Sequence, residues 1–210
     1  QVTSYFIGTI LERRLRGTVA AALGPLQPVL TTMSVTDDRR RLGNTYLRGG
    51  RYALWSGLAI AVPFAVFAEE VVRLYVGETY LEAAHVMTLM LAPIAISYAN
   101  IMISRVAIAT ARIRTFFGGA IVMSLSAMAA AWVAVGPLDL GASGVAGAIA
   151  ATMVVANLVF FWPLGLRLAG VRIGDFLAKT LLPGLLPSAA ALLVWLPAKI
   201  WIAPAGWLTL

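Results

Sequence analysis

The chain is written in long apolar runs divided by short polar connectors. Runs near 9–34, 50–68, 83–109, 115–136, 143–166 and 181–202 approach or exceed the ~20 residues a helix needs to cross hydrocarbon. They are continuous rather than alternating, so they predict helices and not the strands of a membrane barrel. The expected fold class is all-α, a polytopic transmembrane helical bundle of about six spans. Gly24, Pro25 and Pro28 interrupt the first span. Pro63 falls in the second, Pro93 in the third, and Pro183, Pro187 and Pro197 in the sixth. Each proline removes a helix hydrogen bond, so bends are expected there.

The connectors alternate in charge. Arg39, Arg40, Arg41, Arg48 and Arg51 follow the first run, whereas Glu69, Glu70, Glu78 and Glu82 follow the second with a single Arg73. Arg105, Arg112 and Arg114 mark the next turn, Asp139 the one after it, then Arg167, Arg172 and Lys179, and lastly Lys199. By the positive-inside tendency the arginine-rich connectors belong to the cytoplasm, so the expected location is a bacterial cytoplasmic (inner) membrane, crossed several times. Segment 69–82 reads as a short interfacial element. Trp162, Trp195, Trp201 and Trp207, near span ends, read as an aromatic belt, and Trp55 lies a little inside the second span.

Composition narrows the class. Of 210 residues, 60% are apolar and 12% charged, too few charges to cover a soluble surface. The net charge of +7 would raise nucleic acid as a partner in a soluble protein, but here the basic residues sit where topology signals belong, and no nucleic-acid partner is expected. There is no cysteine, which excludes disulfides and thiol chemistry within these residues. Gln1 is not an initiator methionine and the C-terminal residues turn apolar again, so the sequence reads as part of a longer protein.

No catalytic constellation emerges. His85 stands alone, the acids fall in connectors or at span ends, and no phosphate-binding glycine loop occurs. No metal, cofactor or catalytic residue is expected, and the chain is not read as an enzyme. The candidates are polar groups in or beside the spans. Arg13, Arg14 and Arg16 break the charge alternation. Either they lie in a short external linker with the helix starting near Gly17, or a longer first helix turns them toward a wet cavity. Ser97, Asn100 and Ser104 share one helical face, which either hydrogen-bonds a neighbouring helix or walls a cavity. Arg105 borders that face or snorkels to the surface. The fifth span opens with small residues, Gly144 and Ala148, Gly147 and Ala151, spaced for close helix approach. Asn157 is the strongly polar residue of its inner half.

Four segments carry a family resemblance. GPLQPVLTTMSVTDDRRRL (24–42) resembles the proline-containing helix and acidic-basic loop of polysaccharide flippases, and RLYVGETYLEAA (73–84) is similar to their external segment. ATARIRTF (109–116) resembles their short basic turn, and LGASGVAGAIAAT (140–152) their G-x-x-G-x-A-x-A-T helix start, with Gly147 where alanine is more usual. The chain thus resembles the polysaccharide (O-antigen or exopolysaccharide) flippase branch of the multidrug/oligosaccharidyl-lipid/polysaccharide exporter superfamily.

That resemblance implies a two-lobed fold around a central cavity. Residues 1–180 would be most of the second six-helix lobe, with about five spans. Residues 181–210 would be an additional helix and the start of a further one. It implies a substrate, a polyprenyl-pyrophosphate-linked oligosaccharide, moved from the cytoplasmic to the outer leaflet by alternating access. It makes Arg13, Arg14 and Arg16, with Ser97, Asn100, Ser104, Arg105 and Asn157, the substrate-binding candidates. Partners would be the lipid bilayer, the lipid-linked glycan and polysaccharide-assembly proteins such as a glycan polymerase. The alternatives are a cation-coupled multidrug exporter, a peptidoglycan lipid-precursor flippase and a membrane-embedded glycosyltransferase. The first commonly needs an acid inside the membrane, and the sequence places none there.

Overall fold

The structure is a computed structural model that describes residues 2–36 and 38–202, with side chains to Lys199. Among these residues it is helical, without strands. Helix α1 (Val2–Ala22) is followed by α2 (Leu26–Val35), α3 (Arg39–Val66) and the short α4 (Ala68–Tyr75). One apolar stretch then holds α5 (Glu82–Leu91), α6 (Ile94–Ala99) and α7 (Ile103–Ala109). Next come α8 (Ile113–Val135), α9 (Gly141–Ala156), α10 (Trp162–Ala169), α11 (Ile173–Phe176) and α12 (Leu182–Ile202). Wide five-residue turns, Asn157–Phe161 and Leu177–Leu181, join α9 to α10 and α11 to α12.

Four of these stretches are long and apolar enough to cross a membrane: Glu82–Ala109, Ile113–Val135, Gly141–Ala169 and Ile173–Lys199. The first two expected spans do not meet that standard by composition. Glu12, Arg13, Arg14 and Arg16 sit inside α1, and Arg48 and Arg51 inside α3. The last stretch also begins earlier than expected, so the connector after α10 shrinks to residues 170–172. Gly170 there adopts φ +64, and the Val171 amide reaches back to Leu166 O at 2.9 Å, which closes the helix end. The segment expected at the membrane interface is α4, whose Leu74 and Tyr75 are exposed.

The stretch 82–109 is central, with 61% of its most apolar window buried, against 6% for Ile113–Val135 and for Ile173–Lys199. The bare faces of α8 and α12 carry Phe117, Val122, Trp132, Leu186 and Leu193 in the open. Water would not tolerate so continuous an apolar surface, whereas lipid or a further protein surface satisfies it. These observations describe a helical bundle compatible with a multi-pass membrane protein.

Prolines and a break at Asn100 leave backbone carbonyls without their helical donors, and three side chains meet such carbonyls. Pro25 has no N–H, so α1 stops. The Gly24 amide turns to Ala21 O, which releases Ala20 O, and Arg105 Nη2 takes that carbonyl at 2.9 Å. Beyond Pro93, the Asn100 amide turns to Tyr98 O instead of Ile96 O, and Trp162 Nε1 bonds Ile96 O at 3.0 Å. Pro187 offers no N–H to Pro183 O, and Trp55 Nε1 bonds that carbonyl at 2.9 Å. In a low-dielectric bundle an unmet carbonyl costs several kcal/mol, so these donors let bent helices persist. Trp162, buried and edge-on to Phe176, is therefore an internal tie and not the belt residue expected. Trp201 and Trp207 lie outside the described side chains.

A cavity of about 550 Å³ brings Arg39, Arg112 and Arg167 together from three separate connectors. A second of about 480 Å³ gathers Glu69, His85, Ser143 and Lys199. Lys199 Nζ bonds Val66 O at 2.7 Å and pairs with Glu70 at 3.4 Å. Arginines of three connectors thus line one cavity, and Glu69 lies with Lys199 at another. Helix 182–202 docks on α3, where Gly184 lies against Leu54. Residues 203–210, with the expected start of a further helix, lie outside the described residues.

Candidate functional site: a charged face on the first helix

Helix α1 is continuous from Val2 to Ala22, ~30 Å at 1.5 Å per residue. The reading of Arg13, Arg14 and Arg16 as an external linker with the helix starting near Gly17 is thereby overturned. Local propensity favours the helix, since alanine, leucine and arginine form it readily and α1 contains no proline. One end of α1 abuts the start of α5, where a Cβ on Gly8 would meet Val86 and the Ala83 carbonyl under 3.0 Å. The other end carries the Arg105–Ala20 bond. The arginines lie between these contacts, near the middle of the helix.

Leu15 and Val19 face the bundle, while Arg13, Arg14 and Arg16 stay exposed, and Arg13 stacks over the Phe6 ring at 5.7 Å. Glu12 points the other way and is 5% exposed. The expectation that every acid would fall in a connector or at a span end is corrected here. The helix extends ten residues before Glu12, and the carboxylate is buried in the bundle. Its charge is met by Arg16, one turn on, whose Nε and Nη2 donate to Glu12 Oε1 at 2.7 and 2.5 Å. The order Glu then Arg at i,i+4 is the favourable one on a helix, and burial of an unpaired carboxylate would be expensive.

The polar stripe of the third span does not form one continuous face, because the helix breaks between α6 and α7 at Asn100. Asn100 is 1% exposed and accepts from the Tyr46 hydroxyl of α3. Glycine makes room for this pair: a Cβ on Gly165 would sit 2.5 Å from both Asn100 Oδ1 and Tyr46 Oη. Ser97 instead meets Asn157, whose Nδ2 donates to Ser97 Oγ at 3.4 Å and to Met153 O at 2.9 Å. Ser104 bonds its own turn at Ile101 O. Ser97, Asn157 and Asn100 therefore join neighbouring helices, whereas Ser104 serves its own turn.

Arg105 does not snorkel outward but seals the α1 terminus, where a cation also complements the helix dipole. Gln27 of α2 donates to Arg105 O at 3.2 Å, locking the same corner. In α9 Ala142 and Ala146 pack with Val86 and Met90 of α5, Ala150 and Met153 are also buried, and a Cβ on Gly147 would lie 4.0 Å from Leu89 of α5.

The structure thus brings together Arg13, Arg14 and Arg16 on α1, and separately Ser97 with Asn157 and Asn100 with Tyr46. Glu12 and the arginine-lined cavity went unnoticed in the sequence. Glu12 did carry one signal, an i,i+4 partner at Arg16. No group of three or more His, Cys, Asp or Glu able to hold a metal occurs among the described residues.

The chain matches no family model, no curated protein and no solved structure.

Proposed function

We propose that this chain is part of a membrane transporter that moves an anionic, lipid-linked oligosaccharide across the bilayer by alternating access, as flippases of cell-surface polysaccharide synthesis do. One observation carries the reading: Arg13, Arg14 and Arg16 remain exposed halfway along α1 while the same helix packs its other face into the bundle. Guanidinium groups at that depth need water or an anionic partner. A pyrophosphate supplies the partner through charge-assisted, bidentate bonds. Side chains that meet the carbonyls Ala20 O, Ile96 O and Pro183 O support bent helices that keep their shape without losing those hydrogen bonds.

The buried Glu12 favours a second reading, a cation-coupled exporter of the same superfamily, because a carboxylate inside the bundle is the element that reading needs.

The chain has no cysteine, so Arg14→Cys gives a unique label site. A membrane-impermeant thiol reagent reacts with it under the flippase reading, and a lipid-linked glycan protects it. In cells, loss of the protein leaves that glycan lipid facing the cytoplasm. Equal labelling with and without glycan lipid, together with normal surface glycan, overturns the proposal. Lost drug resistance with normal surface glycan selects the exporter.

A further inference from the structure

We propose that the open face of α3 is a binding surface for an anionic two-chain glycerophospholipid of the leaflet on the arginine-rich side, with Arg48 and Arg51 holding its phosphodiester. The surface requires α3 to lie in a bilayer and is independent of what the protein transports.

α3 is divided along its length. Arg39, Arg40, Arg41, Arg48 and Arg51 occupy its first half, and Tyr52 to Val66 carries no charge. One face is buried through Leu47, Leu54, Leu58 and Ala61. On the other, Asn44, Arg48, Tyr52 and Trp55 are exposed in turn, with Arg51 half-buried at the edge. Beyond them the exposed Ala59 and Ile60 are apolar, and Ser56 bonds its own turn at Ala53 O. At 1.5 Å per residue, Arg48 to Trp55 spans ~10 Å and Trp55 to Ile60 a further ~8 Å. Charge, aromatic rings and apolar side chains thus follow one another in the order of a leaflet read inward: charged heads, the zone where Trp and Tyr concentrate, then hydrocarbon. A soluble protein partner would present no such gradient.

The charged end suits a phosphate. The Arg51 guanidinium lies 5.6 Å from the Tyr52 ring centre and 5.4 Å from that of Trp55. The two rings meet edge-on at 5.5 Å, and Trp55 is fixed in turn by its bond to Pro183 O. Arg51 Nε is buried without a hydrogen-bond partner, so the outward donors are its Nη groups. Neither Arg48 nor Arg51 makes an ion pair or hydrogen bond among the described residues, and α3 contains no acid. A guanidinium already held on aromatic rings loses little further freedom on binding, and its planar fork fits two phosphate oxygens. Two unpaired cations one turn apart favour a head of net negative charge over a zwitterionic head, whose own cation they repel.

The full chain is reconstituted into phosphatidylcholine vesicles that contain dibrominated phosphatidylglycerol or, in parallel, dibrominated phosphatidylcholine, whose bromines quench nearby tryptophan. The Trp55 signal is the difference between the parent and Trp55→Phe. Half-quenching of that signal should need at least about fivefold less brominated phosphatidylglycerol than phosphatidylcholine, the effect of about one basic residue at an anionic lipid. Arg48→Gln and Arg51→Gln should each lower the preference to about twofold or less, whereas Arg114→Gln on α8 should leave it unchanged. Native mass spectrometry repeats the comparison without Trp55→Phe: the parent retains phosphatidylglycerol over phosphatidylcholine, and Arg48→Gln loses that preference. Equal quenching by the two lipids in the parent, or an unchanged preference in both arginine variants, overturns the proposal. Relief of the quenching by soluble glycerol 3-phosphate also overturns it, since the surface would then read a free anion. Trp132, exposed on α8 and isolated with Trp132→Phe, is the control for the bilayer itself. If neither lipid quenches Trp132, the membrane reading fails with the proposal; if both quench it while Trp55 is indifferent, this surface alone is refuted.

Discussion

The Glu12–Arg16 pair is the most exacting place to probe this fold. Arg16→Met keeps the length and apolar stem of the side chain but removes the guanidinium, leaving a carboxylate that is 5% exposed without its partner. Stranding a fully buried charge in this way costs ~3–5 kcal/mol. The Arg16 side chain is 47% exposed, so solvent already screens the pair, and we take about half of that figure, ~2 kcal/mol. At ~2–4 °C per kcal/mol for a chain of this size, the variant should melt about 4–8 °C lower. Thermal unfolding in detergent, followed by helical circular dichroism, reads the shift. Glu12→Gln removes the charge instead, and Arg16 then turns to solvent, so its cost should be about 1 kcal/mol or less. The double variant Glu12→Gln/Arg16→Met strands no charge and should recover ~1 kcal/mol relative to Arg16→Met, which with the cost of Glu12→Gln is a coupling of up to ~2 kcal/mol between the two groups. The reasoning fails if Arg16→Met melts within 1 °C of the parent, or if the double variant is no more stable than Arg16→Met.

Three other expectations follow from the same structure. Gly165→Ala drives a methyl to 2.5 Å from Asn100 and Tyr46, so it should destabilise by ~1–3 kcal/mol in the same melt, and Tyr46→Phe should relieve part of the crowding. Ala111→Gly relaxes a φ of +54 and should stabilise by about 1 kcal/mol, read as a rise in melting temperature. Arg105→Met unseats the bond to Ala20 O, so amide exchange should accelerate at the α1–α2 corner (residues 21–27), with a stability loss of ~1.5 kcal/mol.

Much of the architecture follows from local composition. Continuous apolar runs marked the stretches 82–109, 113–135 and 141–169, because hydropathy and length are properties of each run by itself. The breaks at Pro25 and Pro93 were legible for a similar reason: a missing N–H is a property of one residue. The repairs were not. That Arg105 would reach Ala20, Trp162 reach Ile96 and Trp55 reach Pro183 depends on partners 85, 66 and 128 residues away in the chain.

The candidate site divides along the same line. The sequence alone established that Arg13, Arg14 and Arg16 interrupt an apolar region. Only the packing of α1 against α5 determined that they stay exposed while Glu12, adjacent in sequence, turns inward. Helical periodicity fixes which residues share a face, but the neighbouring helix decides which face is buried. For the same reason Arg39, Arg112 and Arg167 had been three topology signals in three connectors. Folding made them one cavity, because α2, the start of α3 and α10 pack around the turn into α8.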